Sequence, residues 1–302
     1  MRDTMVKKRL SNETFWGYIF LFPWIITFLV LQLYPLLLAF KTSFQDLNYL
    51  NMDRTRFTGI GNFVDALKEP LFWKSLFNVT YNQAIFIPIV MLTGLILAVM
   101  LMETRKFAGF FRVVYFVPFI SSITVAIMLF DYMTGPTGPM QSFLMSIGLM
   151  DEPLFWKSGS KWLPMPMIAA FSVWKWFAVH MIVFLGGLSS MNPGIEEAAF
   201  VDGAGWWKRF IKIKIPHLKP QFVFLLTISI INGLQMFNEV FILYSDNVDG
   251  GPYKAGLTPV LYLYREGFTY MKMGFASAVG VLLAVIVFIL TMVQLKFSGR
   301  ES

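Results

Sequence analysis

The sequence has no cysteine. That excludes a disulfide framework, a thiolate metal site and a cysteine nucleophile, and leaves the redox compartment unread. Histidine is scarce as well: His180 and His217 are the two in 302 residues. Neither has a second histidine or a carboxylate at ligand spacing, so each reads as a packed or capping residue rather than a metal ligand. Charge is low, with 14% of residues Asp, Glu, Lys or Arg against 56% hydrophobic. An ordinary soluble domain is about 25% charged and about 45–50% apolar. Too little polar surface remains for a water-soluble fold, and disorder needs the opposite composition. No G-x-x-x-x-G-K-[ST] occurs, so nucleotide phosphates have no P-loop here.

What is present is apolar and aromatic. Mean hydropathy is +0.61, and 32 Phe, 19 Met and 9 Trp suit a lipid-facing surface with interfacial rings. A bilayer core takes roughly 20 apolar helical residues to cross. Charge-free windows of 26, 28, 18 and 23 residues run over Phe15 to Phe40, Ser75 to Met102, Val113 to Phe130 and Met273 to Leu295. Two further windows are interrupted: Trp162 to Leu188 by Lys175 and His180, and Pro220 to Tyr244 by Glu239. The expectation is an all-α polytopic membrane protein with six transmembrane helices. Its apolar first run is longer than a signal-peptide core and no A-x-A-like site follows, so it reads as an uncleaved span. Pro23, Pro35, Pro88 and Pro118 fall inside spans and read as kinks that neighbouring helices can tolerate.

With the N-terminus inside, the inner segments 1–14, 102–112, 189–219 and 296–302 hold 14 of the 25 Lys and Arg in 63 residues. The outer loops 41–74, 134–161 and 246–273 hold 10 in 90 residues, five of them in 41–74, which weakens the bias. The doubled inner density favours both termini in the cytoplasm. Topology thus accounts for the net charge of +7, and no basic stripe is left over to demand nucleic acid.

The inner loop 189–219 is more than a linker. Asn192 is placed to cap a helix with Pro193 at its first position. Glu196 and Glu197 suit the positive end of its dipole. Gly203 and Gly205 interrupt it, and a second short helix fits Trp206 to Ile215, ended by Pro216. Two short helices with a glycine joint form a knob that fits a groove on a soluble partner. Lys208, Arg209, Lys212 and Lys214 beside Trp206 and Trp207 fit a pair lying on lipid headgroups equally well.

Intramembrane polar groups are functional candidates by default. Ser229, Asn232, Gln235 or Met236, and Glu239 recur at helical spacing along one face, as do Ser172, Lys175, Trp176 and Val179. Serine and asparagine at such positions are also common interhelical glue. Lys175 lies too deep for easy snorkelling. It pairs with a carboxylate such as Glu239, faces a wet cavity, or meets an anionic sugar such as a uronate-containing oligosaccharide.

Glu197-Ala198-Ala199, three residues, Gly203, nine residues and Ile213-Lys214-Ile215-Pro216 resemble the EAA loop of binding-protein-dependent ABC importer permeases. The family form is EAA, three residues, G, nine residues, I-x-L-P, so Ile215 is the one departure. Asp202-Gly203-Ala204 matches the common form too. RVVYFVPF at 112–119 resembles the third-helix pattern R-x-x-x-F-x-P of the carbohydrate branch, and GPTGPMQSFLMSIGL at 135–149 its external loop. Phe237-Asn238-Glu239 followed by Gly250-Gly251-Pro252 resembles its "FDE…GGP" segment. The resemblance covers nearly all of 15–297 and is to the MalF-type member of a permease pair.

It implies a transmembrane domain over 15–297, cytoplasmic tails at 1–14 and 298–302, and an EAA coupling loop over 192–216, in a bacterial or archaeal plasma membrane. It implies no catalytic residue and no cofactor on this chain, ATP and Mg being held by a partner. The implied partners are two ATP-binding subunits, a second permease (MalG-type), an extracytoplasmic solute-binding protein and a sugar or oligosaccharide. Glu197, Ala198, Ala199, Asp202, Gly203, Ile213 and Pro216 would couple to the ATPase. Ser172, Lys175, Trp176, Val179, Ser229, Asn232, Gly233 and Met236 fall at sugar-contacting positions, with Glu239 beside them. The alternatives are a permease for another solute such as glycerol phosphate, a polytopic membrane enzyme, or a secondary transporter. An enzyme needs an acid/base or metal cluster that the sequence does not display, and the EAA loop speaks against both of the last two.

Overall fold

A computed structural model describes residues 2–50, 53, 55–104, 108–245 and 248–299, with side chains described from Phe15 onward. Most of the 298–302 tail, the side chains of 1–14 and the basic residues 105–106 therefore lie outside the described residues. Among those described there is no β-strand, only isolated bridges at Gln45–Phe57 and Asn48–Lys272. The chain divides into two compact units, residues 1–66 with 266–281, and residues 67–265 with 282–302.

The first unit opens with α1 (Arg2–Phe28). A π turn at Leu29–Leu33 leads into α2 (Tyr34–Ser43), with the Tyr34 amide donating to the Leu29 carbonyl. The wider turn precedes Pro35, whose ring would otherwise press on the carbonyl four residues back. Phe15–Ser43 is long and apolar enough to cross a bilayer, and none of its best window is buried. Phe20 is 79% exposed and Leu31 68%. Such a surface is costly in water and ordinary in lipid. Asn62 then pins the loop that follows, its Nδ2 donating to the Ser43 and Gln45 carbonyls at 2.9 Å each.

After α3 (Gly61–Lys68), the second unit is organised on α4 (Pro70–Glu103). Next come α5 (Ala108–Ile120), α6 (Ile123–Thr134), α7 (Pro139–Ser146) and α8 (Pro164–Ser189). α4 and α8 pack along their lengths. A Cβ on Gly94 would lie 2.6 Å from the His180 Cβ, so glycine there is what lets the two backbones close. Ala98, Val99, Met181, Phe184, Leu188 and Leu218 build the core at one end of this pair. Phe86, Val90 and Ala169 form a second cluster nearer its middle.

The loop 189–219 carries α9 (Pro193–Val201) and α10 (Trp206–Arg209). A π turn at Phe210–Lys214 continues into α11 (Ile215–His217) and α12 (Lys219–Leu234). The helix therefore runs through Pro216 rather than ending there. The π turn rearranges the hydrogen bonds just ahead of the ring, and the ladder resumes with the Leu218 amide on the Lys214 carbonyl at 3.0 Å.

α13 (Asn238–Leu243), α14 (Pro259–Tyr264) and α15 (Met273–Gly299) complete the chain. Between α13 and α14 the loop is held by Asp249, which pairs with Lys254 and Arg265. The Lys254 ammonium first, and the Arg265 guanidinium after it, hold the Asp249 carboxyl below the usual range against an opposing push from burial. Asn78 of α4 anchors the loop by donating to the Lys254 and Leu257 carbonyls at 2.8 and 2.9 Å.

Among the described residues, four helices are long and apolar enough to cross a membrane: Phe15–Ser43, Pro70–Glu103, Pro164–Ser189 and Met273–Ser298. They match four of the six expected spans. The other two are broken. The third bends by 92° between Gly109–Ile120 and Ile123–Ser146, and counts as a fifth span if the pair crosses together. The expected fifth is divided at Gln235–Phe237 into α12 and α13. The 16 residues of α12 rise about 24 Å, short of a hydrocarbon core of about 30 Å.

Candidate functional site

A cavity of about 360 Å³ opens among α4, α8, α12 and the start of α6. Its wall carries Ser172, Trp176 and Val179 from α8, and Ser229, Asn232, Gly233, Met236 and Glu239 from α12, its break and α13. Eight of the nine residues expected to meet a substrate thus share one wall. The break at Gln235–Phe237 turns Met236 and Glu239 back toward the residues of α12. The Met236 carbonyl freed there accepts from the buried Thr258 hydroxyl at 2.8 Å.

Lys175 is the exception. It is 4% exposed and does not line the cavity. Its ammonium donates to the Pro118 carbonyl at 2.7 Å, the Phe119 carbonyl at 3.3 Å, and the Ser121 carbonyl and hydroxyl. α5 ends at Ile120, so these carbonyls lie at or just past a helix C-terminus, at the negative end of its dipole, where the backbone ladder no longer supplies amides. The Pro118 carbonyl also accepts from the Ser121 hydroxyl at 2.6 Å. Of the three roles left open for Lys175 by the sequence, a direct ion pair with Glu239 gives way to this cage of carbonyls and a hydroxyl. The cost of a buried cation is offset by acceptors that the α5–α6 break had stranded.

His180 links α8 to α12. Its Nδ1 lies 3.0 Å from the Trp176 carbonyl and its Nε2 3.3 Å from the Ser229 hydroxyl. Ser229 therefore acts as interhelical glue as well as cavity wall. The sequence reading missed His180 as a wall residue, together with Phe86, Ile123 and Gln83. Gln83 could have been found by the criterion used for Asn232, a polar side chain in an apolar span. The Ser172 Oγ and Gln83 Oε1 are buried with no protein partner. Wall chemistry of this kind, a tryptophan face with amides and hydroxyls, suits a hydroxyl-rich solute with apolar C–H faces. Among the described residues, no group of three or more His, Asp or Glu is arranged to hold a metal ion.

The 192–216 loop is built from local hydrogen bonds. Asn192 Oδ1 accepts from the Gly194 amide at 2.9 Å, capping α9. At the other end, the Gly203 amide donates to the Phe200 carbonyl and the Ala204 amide to the Ala199 carbonyl, at 3.0 and 2.9 Å. This is a Schellman closure, and it needs a left-handed residue at its turn. Gly203 supplies it with φ +74°. A Cβ there would meet open space, so backbone conformation rather than crowding selects glycine.

Glu196 joins α9 to the following helix, 2.9 Å from the buried Lys214 ammonium and 3.7 Å from Arg209. Trp206 Nε1 donates to Glu103 at the end of α4 at 2.9 Å. Phe210 and Leu218 pack into the core shared by α4 and α8. Glu197 and Ala198 are exposed, as are Asp202, Gly203 and Pro216, while Ala199 and Ile213 are half-buried. Among the described residues Glu197 has no ion-pair partner. Ile195, Phe200, Val201 and Trp207 stand exposed on this loop, Val201 at 84%. The result is a knob with an apolar, unpartnered outer surface and a root in the helices that line the cavity.

Comparison with known proteins gives one family match, to the binding-protein-dependent transport system inner membrane component, over residues 90–300. The chain is 33% identical over 304 residues to an arabinooligosaccharide transport system permease of Bacillus subtilis (strain 168), covering 99% of this chain and 91% of that one. It is 32% identical over 287 residues to a lactose transport system permease of Rhizobium radiobacter, covering 94% of each. Among solved structures it resembles a bacterial ABC transporter involved in the import of the acidic polysaccharide alginate. There the TM-score is 0.83 at 22% identity, over 98% of this chain and 99% of that one, a likeness of fold.

Proposed function

Because the chain belongs to the family of binding-protein-dependent transport system inner membrane components, we propose that it is the transmembrane permease subunit of an ATP-driven importer for a sugar or oligosaccharide. The observation that carries the substrate class is the cavity, where Trp176 offers an apolar face and Ser172, Asn232 and Gln83 offer hydroxyl and amide groups. The named relatives transport arabinooligosaccharides and lactose, which supports the same class. A uronate-containing oligosaccharide stays within it. Such a substrate would be met on this wall by amide and hydroxyl donors, because Lys175 is occupied at the α5–α6 break.

In this reading residues 15–297 form the transmembrane domain with six crossings, α5–α6 and α12–α13 each counting as one broken crossing. Both termini are cytoplasmic. ATP and Mg are bound by two partner ATPase subunits, since the chain has no P-loop. A second permease completes the pore, and an external binding protein delivers the solute. Closure of the ATPases pushes on the knob at 192–216. The exposed apolar residues of α9 enter a groove on the ATPase, and Glu197 meets a basic group there. Phe210, Leu218 and the Trp206–Glu103 bond pass the displacement into α4, α8 and α12, whose walls reshape the cavity.

Purification from the native membrane in mild detergent tests this reading. Mass spectrometry should find a P-loop ATPase and a second polytopic permease in the same peak. A chain that is recovered alone and monodisperse would overturn it and return the secondary transporter and the membrane enzyme to consideration. Reconstituted uptake of arabinotriose, lactose and glycerol 3-phosphate then separates the sugar class from the glycerol phosphate alternative.

A further inference from the structure

Gln83 lies on the second expected span, in α4, and lines the cavity together with the α12 residues. It is 8% exposed. Its Nε2 donates to Asn82 Oδ1 at 3.1 Å, and Asn82 Nδ2 in turn donates to the Met165 carbonyl at 2.9 Å. The order of these bonds fixes both amides. A backbone carbonyl can only accept, so Asn82 must turn its nitrogen to Met165 and its oxygen to Gln83. Gln83 must then answer with nitrogen, which leaves Oε1, on a residue that lines the cavity, without a bond to the protein. That oxygen is buried and has no protein partner.

Gly233 is the second observation. A Cβ at 233 would sit 2.1 Å from the Gln83 Cδ. The glycine is therefore a slot in α12 that admits the Gln83 amide, rather than a contact surface of its own. One helix has given up a side chain and another has set its amide in the space. A buried acceptor left unmatched is costly, and the Ser172 Oγ on the same cavity is likewise unmatched.

We propose that Gln83 is a substrate-reading residue whose Oε1 accepts a hydrogen bond from a hydroxyl of the transported solute, with Gly233 as its seat. The proposal rests on the importer reading and adds to it a donor hydroxyl that the solute must present. A solute stripped of that hydroxyl leaves the acceptor buried and unpaired, which is the strongest route to rejection open to a small polar site.

The test uses the complete importer in proteoliposomes, with saturating loaded binding protein and radiolabelled arabinotriose. Gln83→Leu keeps the volume and removes the acceptor. Uptake should fall roughly tenfold. Gln221→Leu is the control: Gln221 also has a buried, unpartnered Oε1 and also seats against a glycine, Gly187, but it lies off the cavity. It should transport as wild type. Wild-type uptake by Gln83→Leu, or an equal fall in both variants, overturns the proposal. If Gln83→Leu does not assemble, Gln83→Met serves in its place with the same expected fall. Should the wild-type complex take up glycerol 3-phosphate and neither arabinotriose nor lactose, the sugar reading fails. The tenfold fall for the Gln83 variant on glycerol 3-phosphate, which also carries donor hydroxyls, would still support the role of Gln83.

Discussion

The knob at 192–216 and the cavity belong to one helical frame and are built by opposite means. The cap and the turn of the knob close through bonds between near neighbours: Gly194 to Asn192, Ala204 to Ala199, Gly203 to Phe200. The cavity closes through bonds and contacts between residues distant in sequence: Gln83 against Gly233 and His180 with Ser229, with Lys175 bonded to Pro118 beside it. Local bonds give the knob a fixed shape that survives displacement as a body. Long-range contacts make the cavity depend on how four helices are arranged, so moving those helices changes it. A transporter needs both properties, a rigid handle and a deformable chamber.

The contrast is broken most strongly at Gly203. Gly203→Asp forces a side chain into the left-handed region at a cost of about 1 kcal/mol, too little to unfold the chain, and the added group has open space. The variant should remain in the membrane while uptake falls by an order of magnitude or more. Membrane fractionation alongside sugar uptake measures both, and normal uptake would remove the docking role from the knob.

Lys175→Met tests the chamber. It strands the Phe119 and Ser121 carbonyls together, while the Pro118 carbonyl keeps the Ser121 hydroxyl at 2.6 Å, each unmet acceptor being worth about 1–3 kcal/mol. The expected result is a marked loss of thermal stability in detergent, by several degrees or more, whether or not sugar is present. A variant with unaltered melting but reduced substrate-stimulated ATPase would restore Lys175 as a substrate ligand.

Gly233→Ala should expel the Gln83 amide and lower uptake several-fold. The double variant Gly233→Ala with Gln83→Ala should relieve the clash and recover thermal stability without recovering uptake. Normal transport by the single variant would show that Gly233 is not the seat of the Gln83 amide.

The smallest effect separates two adjacent carboxylates. Glu196→Gln removes the ion pair with Lys214, which is 8% exposed, and should cost about 1 kcal/mol of stability. Glu197→Gln should leave melting unchanged and lower the coupling of ATP hydrolysis to uptake. Equal effects on melting would show that the knob does not divide into an inward and an outward carboxylate.

Legibility from sequence follows the same division. The Asn192-Pro193 start and the Gly203 turn were readable because their hydrogen bonds join residues at most five apart. The apolar windows for α4, α8 and α15 were readable because hydrocarbon imposes length and composition on a crossing helix. The helical period placed Ser172 and Trp176 on one face, and Ser229 and Asn232 on another, and the structure brings both faces to the cavity. The period also placed Lys175 with Ser172, yet its long side chain leaves that face for the α5–α6 break. No local pattern announced this, because the carbonyls it collects lie more than 50 positions earlier.

What the sequence by itself determined is the class of molecule and the local shapes: a polytopic helical chain, a capped and glycine-closed knob, and polar stripes on two apolar helices. Only the tertiary structure decided that Glu196 rather than Glu197 braces the knob, that the third and fifth expected spans are broken, that Gln83 belongs to the cavity and Lys175 does not. The physical reason is that composition, period and caps act over a few residues. A buried amide or ammonium is placed by whichever distant backbone leaves an acceptor, or an opening, within its reach.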